Sequence, residues 1–227
     1  MAPLPGATDT GVWRSQLLEG VCPPCQAVLE AQRQKEQRAI QVRRELVQLL
    51  GGEKPYREFT FERYEVTPGN RLAYERCRQF DPATENLYLW GACGVGKTHL
   101  ASAVARKCSE AALSVHVLPA FQLSRRVRMK GLDQEQTAIS ELIDADALVL
   151  DDLGTGSDTP YGRQLLQEIL DARNLHDRGG IVITSKYSLA ALAQKLDEDS
   201  VPSRLGGMCR VIQLNGLDHR VAPRGRS

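Results

Sequence analysis

The chain has 227 residues, 42% of them hydrophobic, and a formal net charge of +1, which suits one well-buried domain with a modest appendage. A balance so near neutrality gives no global field that would mark a nucleic-acid partner, so any such contact has to come from a local patch. No apolar run approaches the roughly 18 residues of a membrane span, and the opening MAPLPGATDTGVW lacks the basic and apolar regions of a signal peptide. The expected setting is therefore the cytoplasm, with no membrane partner.

Residues 1–20 are rich in Pro, Gly and Thr without periodicity and read as a disordered lead. CPPC follows, from Cys22 to Cys25. A structural zinc site takes four ligands, yet no other Cys or His precedes Cys77, and His99, His116, His176 and His219 all lie far downstream. A zinc site within one chain is therefore disfavoured, and two chains sharing one ion is the arrangement left open. The six cysteines (Cys22, Cys25, Cys77, Cys93, Cys108, Cys209) do not read as a disulfide framework, so reduced thiols are expected. The next stretch, QAVLEAQRQKEQRAIQVRRELVQLL, is built of good helix formers, with Val42, Leu46, Leu49 and Leu50 on one face. Gly51-Gly52 and Pro55 stop it. One narrow apolar stripe makes no core alone and must dock on the main domain or on a partner. Residues 21–54 thus read as a short helical N-terminal extension for partner binding, residues 55–220 as the main domain and 221–227 as a tail.

From about residue 55 short apolar runs alternate with helical patterns. The runs fall at Leu87–Trp90, Val115–Leu118, Ala147–Leu150, Ile181–Thr184 and Val211–Leu214, with helices over Thr98–Ala112, Tyr161–Asp177 and Leu189–Leu196. Runs that are apolar without alternation, separated by helices, indicate an α/β fold with a parallel sheet covered on both faces. Five strands is the simplest count.

GACGVGKT, from Gly91 to Thr98, fits G-x-x-x-x-G-K-[ST] at every fixed position and stands between a strand and a helix. In such a P-loop the glycines let backbone N–H groups turn inward around phosphate oxygens, and the helix N-terminus adds a favourable dipole. Gly91, Ala92, Cys93, Gly94, Val95, Gly96, Lys97 and Thr98, with His99 beside them, are the expected ATP-binding residues. Lys97 is expected to reach the β- and γ-phosphates and the Thr98 hydroxyl to bind Mg²⁺. ALVLDDLG then ends an apolar strand in two acids. Asp151 is expected to hold the metal through its water shell and Asp152 to polarise the attacking water. A further stretch, QLSRRVRMKG, carries Arg125, Arg126, Arg128 and Lys130 with no acid among them. It is either a solvated face or a contact to a phosphate backbone, and without interleaved aromatics it offers no base stacking.

GACGVGKTHLASAVA, ALVLDDLG, EILDARN, IVITSKYSLAALAQKL and SRLGGMCRVIQLNGLDHR, in this order, resemble the DnaC/IstB-like branch of the AAA+ ATPases, which includes replicative-helicase loaders and transposition helper ATPases. The resemblance covers roughly residues 59–220, including the lead-in FTFERYEVTPGNRLAYERC. It implies a P-loop NTPase of AAA+ type whose subunits self-associate around shared ATP sites. It implies that Arg204 is an arginine finger reaching the γ-phosphate on a neighbouring subunit, and that Arg220 is a nucleotide sensor. It also places the basic run on an extra helix facing the oligomer's channel, which favours single-stranded DNA as its ligand. Arg173 matches a family position but reads as an exposed helix arginine. After the fourth strand the family's Thr-Ser-Asn is replaced by Thr184, Ser185 and Lys186. A charged lysine accepts no hydrogen bond, so Thr184 and Ser185 inherit the sensor role, or hydrolysis is slow.

The expected function is that of an ATP- and Mg²⁺-dependent ATPase loading a replicative DNA helicase. Its rivals are a transposition helper ATPase, a small-molecule P-loop kinase, which needs no arginine in trans, and a non-catalytic ATP-bound clamp on DNA.

Overall fold

The computed structural model describes residues 23–129, 132–156, 159–176 and 178–219. By its contacts the chain divides into two compact units, 1–37 and 38–227. The described part of the first unit is the N-terminal portion of helix α1 (Pro23–Leu50), whose side chains from 26 to 37 are exposed. No described helix is long and apolar enough to cross a membrane.

In the second unit α1 runs on to Leu50, and its apolar stripe has a seat. Val42 and Leu46 are buried, and Leu49 packs against the same cluster. Burial of a residue of this kind contributes roughly 1.5–3 kcal/mol, so residues 38–50 belong to the body of the protein. Two short helices follow, α2 (Glu53–Glu58) and α3 (Arg71–Gln79). The sheet and its crossovers come next: β1 (Leu87–Gly91), α4 (Lys97–Glu110), β2 (Val115–Pro119), α5 (Leu123–Arg128), α6 (Glu135–Asp144), β3 (Ala147–Leu153), α7 (Pro160–Leu175), β4 (Ile181–Ser185), α8 (Leu189–Leu196), α9 (Ser200–Met208) and β5 (Arg210–Leu214).

The five strands lie in the order β2-β3-β4-β1-β5, all parallel. Both faces are buried, which is why the runs are apolar throughout. Leu87, Leu89, Val117, Val149 and Val182 meet α4, α3 and the end of α1 on one side. Tyr88, Leu148, Leu150, Ile181 and Ile183 meet α5 to α9 on the other. β3 runs past the expected end at Leu150 to Leu153, with a register shift between those residues. Asp152 takes φ 61° there, a left-handed conformation that aspartate tolerates better than most residues.

β2 is an edge strand, and α1 caps part of that edge. Glu45 on α1 accepts the Val117 N–H at 2.7 Å and pairs with Arg126 on α5 at 2.9 Å. Pro119 at the strand's end has no N–H to offer. Arg126, read from the sequence as part of a DNA-contacting run, thus also serves to tie α5 to α1.

Arg173 overturns its expected exposure. It is 0% exposed, and Nη1 donates to the carbonyls of Leu142 (3.1 Å), Ile143 (2.8 Å) and Ala145 (2.8 Å). Nη2 donates to the Gly179 carbonyl. The side chain binds the end of α6 to the turn before β4, satisfying carbonyls that a helix end leaves open. Burial, aided by Arg178, lowers its pKa to about 10, so it stays protonated at neutral pH. Arg173→Leu should remove a donor common to four carbonyls and destabilise the fold by about 3 kcal/mol or more. Urea denaturation measures this, and a loss under about 1 kcal/mol would contradict the bracing role.

Candidate nucleotide site

The site lies at the C-terminal ends of β1, β3 and β4, where ligands sit in open α/β sheets. A chain leaving β1 turns through residues 91–96 into α4. Gly94 (φ 75°) and Gly96 (φ 94°) adopt left-handed backbone. A Cβ on Gly94 would meet Asp218 Oδ1 at 1.7 Å, and one on Gly96 the Tyr64 ring at 2.8 Å. Both positions therefore favour glycine for torsion, and the Tyr64 ring crowds Gly96 as well, whereas the Asp218 carboxylate beside Gly94 can swing aside.

Lys97 is nearly buried, at 8% exposure. Its ammonium donates to the carbonyls of Gly91 at 2.8 Å and Ala92 at 2.6 Å, across the mouth of the loop. Thr98 Oγ1 lies 3.0 and 3.1 Å from the two carboxylate oxygens of Asp151. Thr184 Oγ1 donates to Asp151 Oδ1 at 2.6 Å and accepts the Asp152 N–H at 2.8 Å. Two expected hydroxyls, from α4 and β4, thus converge on the one carboxylate that β3 supplies. Burial raises the Asp151 pKa, and the hydroxyls of Thr184 and Thr98 only partly offset it. Asp152 is exposed and shares with Asp151, Lys97 and Thr98 the lining of a cavity of about 490 Å³.

The cavity's other wall was not anticipated. Phe59, Arg63, Tyr64 and Glu65 line it from the lead-in, and His219 from beyond β5. Tyr64 donates to the Val95 carbonyl at 3.4 Å, and the His219 N–H donates to the Gly94 carbonyl at 3.2 Å. His99 stacks on Phe59, with ring centroids 4.6 Å apart, and its Nε2 lies 2.8 Å from the Thr60 carbonyl. Burial lowers its pKa, so the neutral ring joins the lead-in to the start of α4. The aromatic spacing in FTFERY was the available signal. Cys93 is exposed within the loop.

Other expected residues are not brought to this cavity. Ser185 is buried and donates to the Leu153 carbonyl at 2.7 Å while accepting the Tyr187 N–H at 3.1 Å, stitching β4 to β3. The Lys186 ammonium sits 5.0 Å from the centre of the Tyr187 ring. Arg204 lies on α9, paired with Asp171. In the basic run, Arg125 is exposed, and Arg128 stands over the Tyr161 ring at 4.4 Å. Arg126 joins Glu45 and His116. Lys130, Arg220 and Cys22 lie outside the described residues, as does the side chain of Cys25.

With this geometry established, comparison places the chain among known proteins. The family model described as IstB-like ATP binding protein matches residues 26–226. The chain belongs to that family. The replicative helicase loader DnaC of Escherichia coli K12 is 26% identical over 169 residues, covering 70% of this chain and 68% of the relative. The crystal structure of the DnaC helicase loader superposes with TM-score 0.62 at 25% identity, over 72% of this chain and all of that one. AMPPCP-bound DnaA from Aquifex aeolicus superposes with TM-score 0.61 at 24% identity, over 70% of this chain. This chain spans half the length of that DnaA chain, and the likeness bears on the fold. The fold is thus that of an AAA+ P-loop ATPase.

A buried carboxylate with a raised pKa costs stability wherever it is ionised. The folded form binds its proton more tightly than the unfolded chain, so the penalty grows as pH rises above the unfolded value. Asp151→Asn should therefore melt higher at pH 7, by on the order of 2–4 °C for each kcal/mol relieved. It should also lose Mg²⁺-dependent stabilisation by ATP. Differential scanning fluorimetry with and without Mg·ATP checks both effects, and a lower melting temperature would contradict the electrostatic argument.

Proposed function

We propose that this family member is an ATPase that binds a replicative DNA helicase and helps place it on single-stranded DNA. The observation that carries the reading is the convergence of Thr98, Thr184 and Asp151 beside the glycine loop. Hard oxygen donors from a hydroxyl and a carboxylate fit Mg²⁺, and Thr98 and Asp151 are the residues that would hold it. Bound with nucleotide, that ion supplies charge neutralisation between the phosphates. Lys97 is the cation for the β- and γ-phosphates. Thr184 orients both carboxylates, one through its hydroxyl proton and one through the backbone of Asp152, which faces the cavity as the group to polarise water. Ser185 takes no part at that surface.

Arg204 is absent from the lining of its own chain's cavity, which supports a role toward a neighbouring subunit's γ-phosphate. The helicase partner is carried over from the DnaC relative. The resemblance to the DnaC/IstB-like branch supports a second reading, a helper ATPase of transposition, and the matching family is described as IstB-like ATP binding protein. Binding to a purified replicative helicase, measured by sedimentation, separates the two, since the helper reading predicts no complex.

Lys97→Ala should abolish binding of a fluorescent ATP analogue, and retention of wild-type affinity would refute the phosphate-loop assignment. Arg204→Ala and Asp152→Asn subunits, each inactive alone, should regain part of the ATPase activity when mixed, because one site would draw Asp152 and Arg204 from different chains. A monomeric kinase predicts no recovery at any ratio.

For DNA, Arg125 and Arg128 are both exposed on their helix, but Arg128 stands over the Tyr161 ring, which leaves Arg125 as the one of the two with no ion pair or ring contact among the described residues. Arg125→Glu should weaken single-stranded DNA binding and flatten its salt dependence, while Arg126→Glu should mainly lower stability by opposing Glu45. Fluorescence anisotropy across a salt series reads the first effect and thermal melting the second. Unchanged DNA affinity for Arg125→Glu at low salt would remove α5 from the DNA path.

A further inference from the structure

We infer that Asp171 is the positioning residue for Arg204, holding its guanidinium so that one edge is presented outward for a phosphate. The inference rests on the reading of Arg204 as a residue acting on a neighbouring subunit's nucleotide.

Asp171 and Arg204 are 33 positions apart and meet across α7 and α9. Arg204 Nε donates to Asp171 Oδ1, and Nη2 donates to Oδ2 at 2.7 Å. Both oxygens of one carboxylate are therefore engaged by the Nε/Nη2 side of one planar fork, an arrangement that fixes the plane as well as the position. A guanidinium carries five N–H donors, so this pairing leaves the Nη1/Nη2 edge with its own donors. Among the described residues no acceptor meets that edge. It is the edge that two phosphate oxygens could engage in the same bidentate manner.

The two helices that carry the pair are themselves held. Leu166, Ile169 and Leu170 of α7 pack in one buried cluster with Val201 and Leu205 of α9. The backbone of each partner is thus fixed by apolar contacts beside it, and the pair need only set a side-chain orientation. Its exposure fits that division of labour. The side chains are 37% and 42% exposed, and ion pairs this open contribute little to stability. A conserved fold with a lost Asp171 is therefore expected, and any large effect has to appear in the reaction of the assembled protein.

The test is a double-mutant cycle on the full chain across a range of Mg·ATP concentrations, reading turnover, the KM for ATP, ATP-dependent sedimentation and melting temperature. Asp171→Ala should lower turnover, or ATP-driven assembly, by about tenfold to 10²-fold, as a misplaced reacting group does. The KM and the melting temperature should stay near wild type. Asp171→Asn should behave like Asp171→Ala, because its amide turns an NH₂ toward one of the two donors, while Asp171→Glu should restore part of the loss. In the Arg204→Ala background, where turnover is already lost, Asp171→Ala should leave ATP-dependent sedimentation and melting temperature as Arg204→Ala alone sets them. An additive further loss, or an equal fall in melting temperature in both backgrounds, would make Asp171 merely structural and overturn the inference. A gain in turnover for Asp171→Ala would overturn it too, since the pair would then restrain Arg204. If Arg204→Ala itself turns over like wild type, the shared-site reading fails and the inference with it. If Arg204→Ala is inactive while Asp171→Ala is unaffected, only the positioning role fails.

Discussion

The Asp151 carboxylate is the constraint around which the site is arranged. It is nearly buried, at 7% exposure, it belongs to β3, and it accepts hydroxyl donors from the first turn of α4 and from the last residues of β4. Those bonds join the helix that follows the glycine loop to the two central strands. The low-dielectric setting that makes the charge costly also makes its interactions strong. A cation arriving with a nucleotide would find a carboxylate already oriented by two hydroxyls, which is the preorganisation that charge-stabilising sites depend on. Any change that shifts Asp151 would also shift the loop helix and, through Thr184, the backbone of Asp152.

The strand order explains why three elements can meet there. β4 lies between β3 and β1, so the segments leaving β1 and β3 flank the end of β4. Thr184 then stands between the glycine loop and the paired acids without any long reach. The left-handed turn at Asp152 lets adjacent carboxylates take different environments, one buried and one open to the cavity. Two charges on neighbouring residues are tolerable because the chain separates their surroundings.

What could be read from the sequence was what depends on near neighbours. The strand runs declare themselves by unbroken apolarity, and the glycine loop by fixed spacing over eight positions, Gly91 to Thr98. The apolar stripe of α1 correctly called for a docking surface, and the core supplies it for Val42 and Leu46. Arg173 was misread because its acceptors come from residues about 30 positions earlier and from a turn 6 positions later, and no local pattern announces them. Arg126 looked like its neighbours in a basic run, while Glu45, 81 positions before it by residue number, gives it a different task. The extension of β3 past the acids was hidden by their polarity, which normally marks the end of a strand. Polar residues whose partners are remote in sequence are the ones that one-dimensional reading places worst.

The capping of the β2 edge by α1 bears on how the protein can be cut down. A shortened chain beginning near residue 51, where the glycines suggest a natural start, would lose Glu45 along with Val42 and Leu46. The Val117 N–H would then face solvent or another molecule, beside an apolar trough stripped of its cover. Such a bared border invites strand pairing between copies. The trimmed protein would tend toward aggregation even with every nucleotide-binding group intact, so residues 38–50 belong to the smallest version of the ATP-binding fold that keeps its sheet covered.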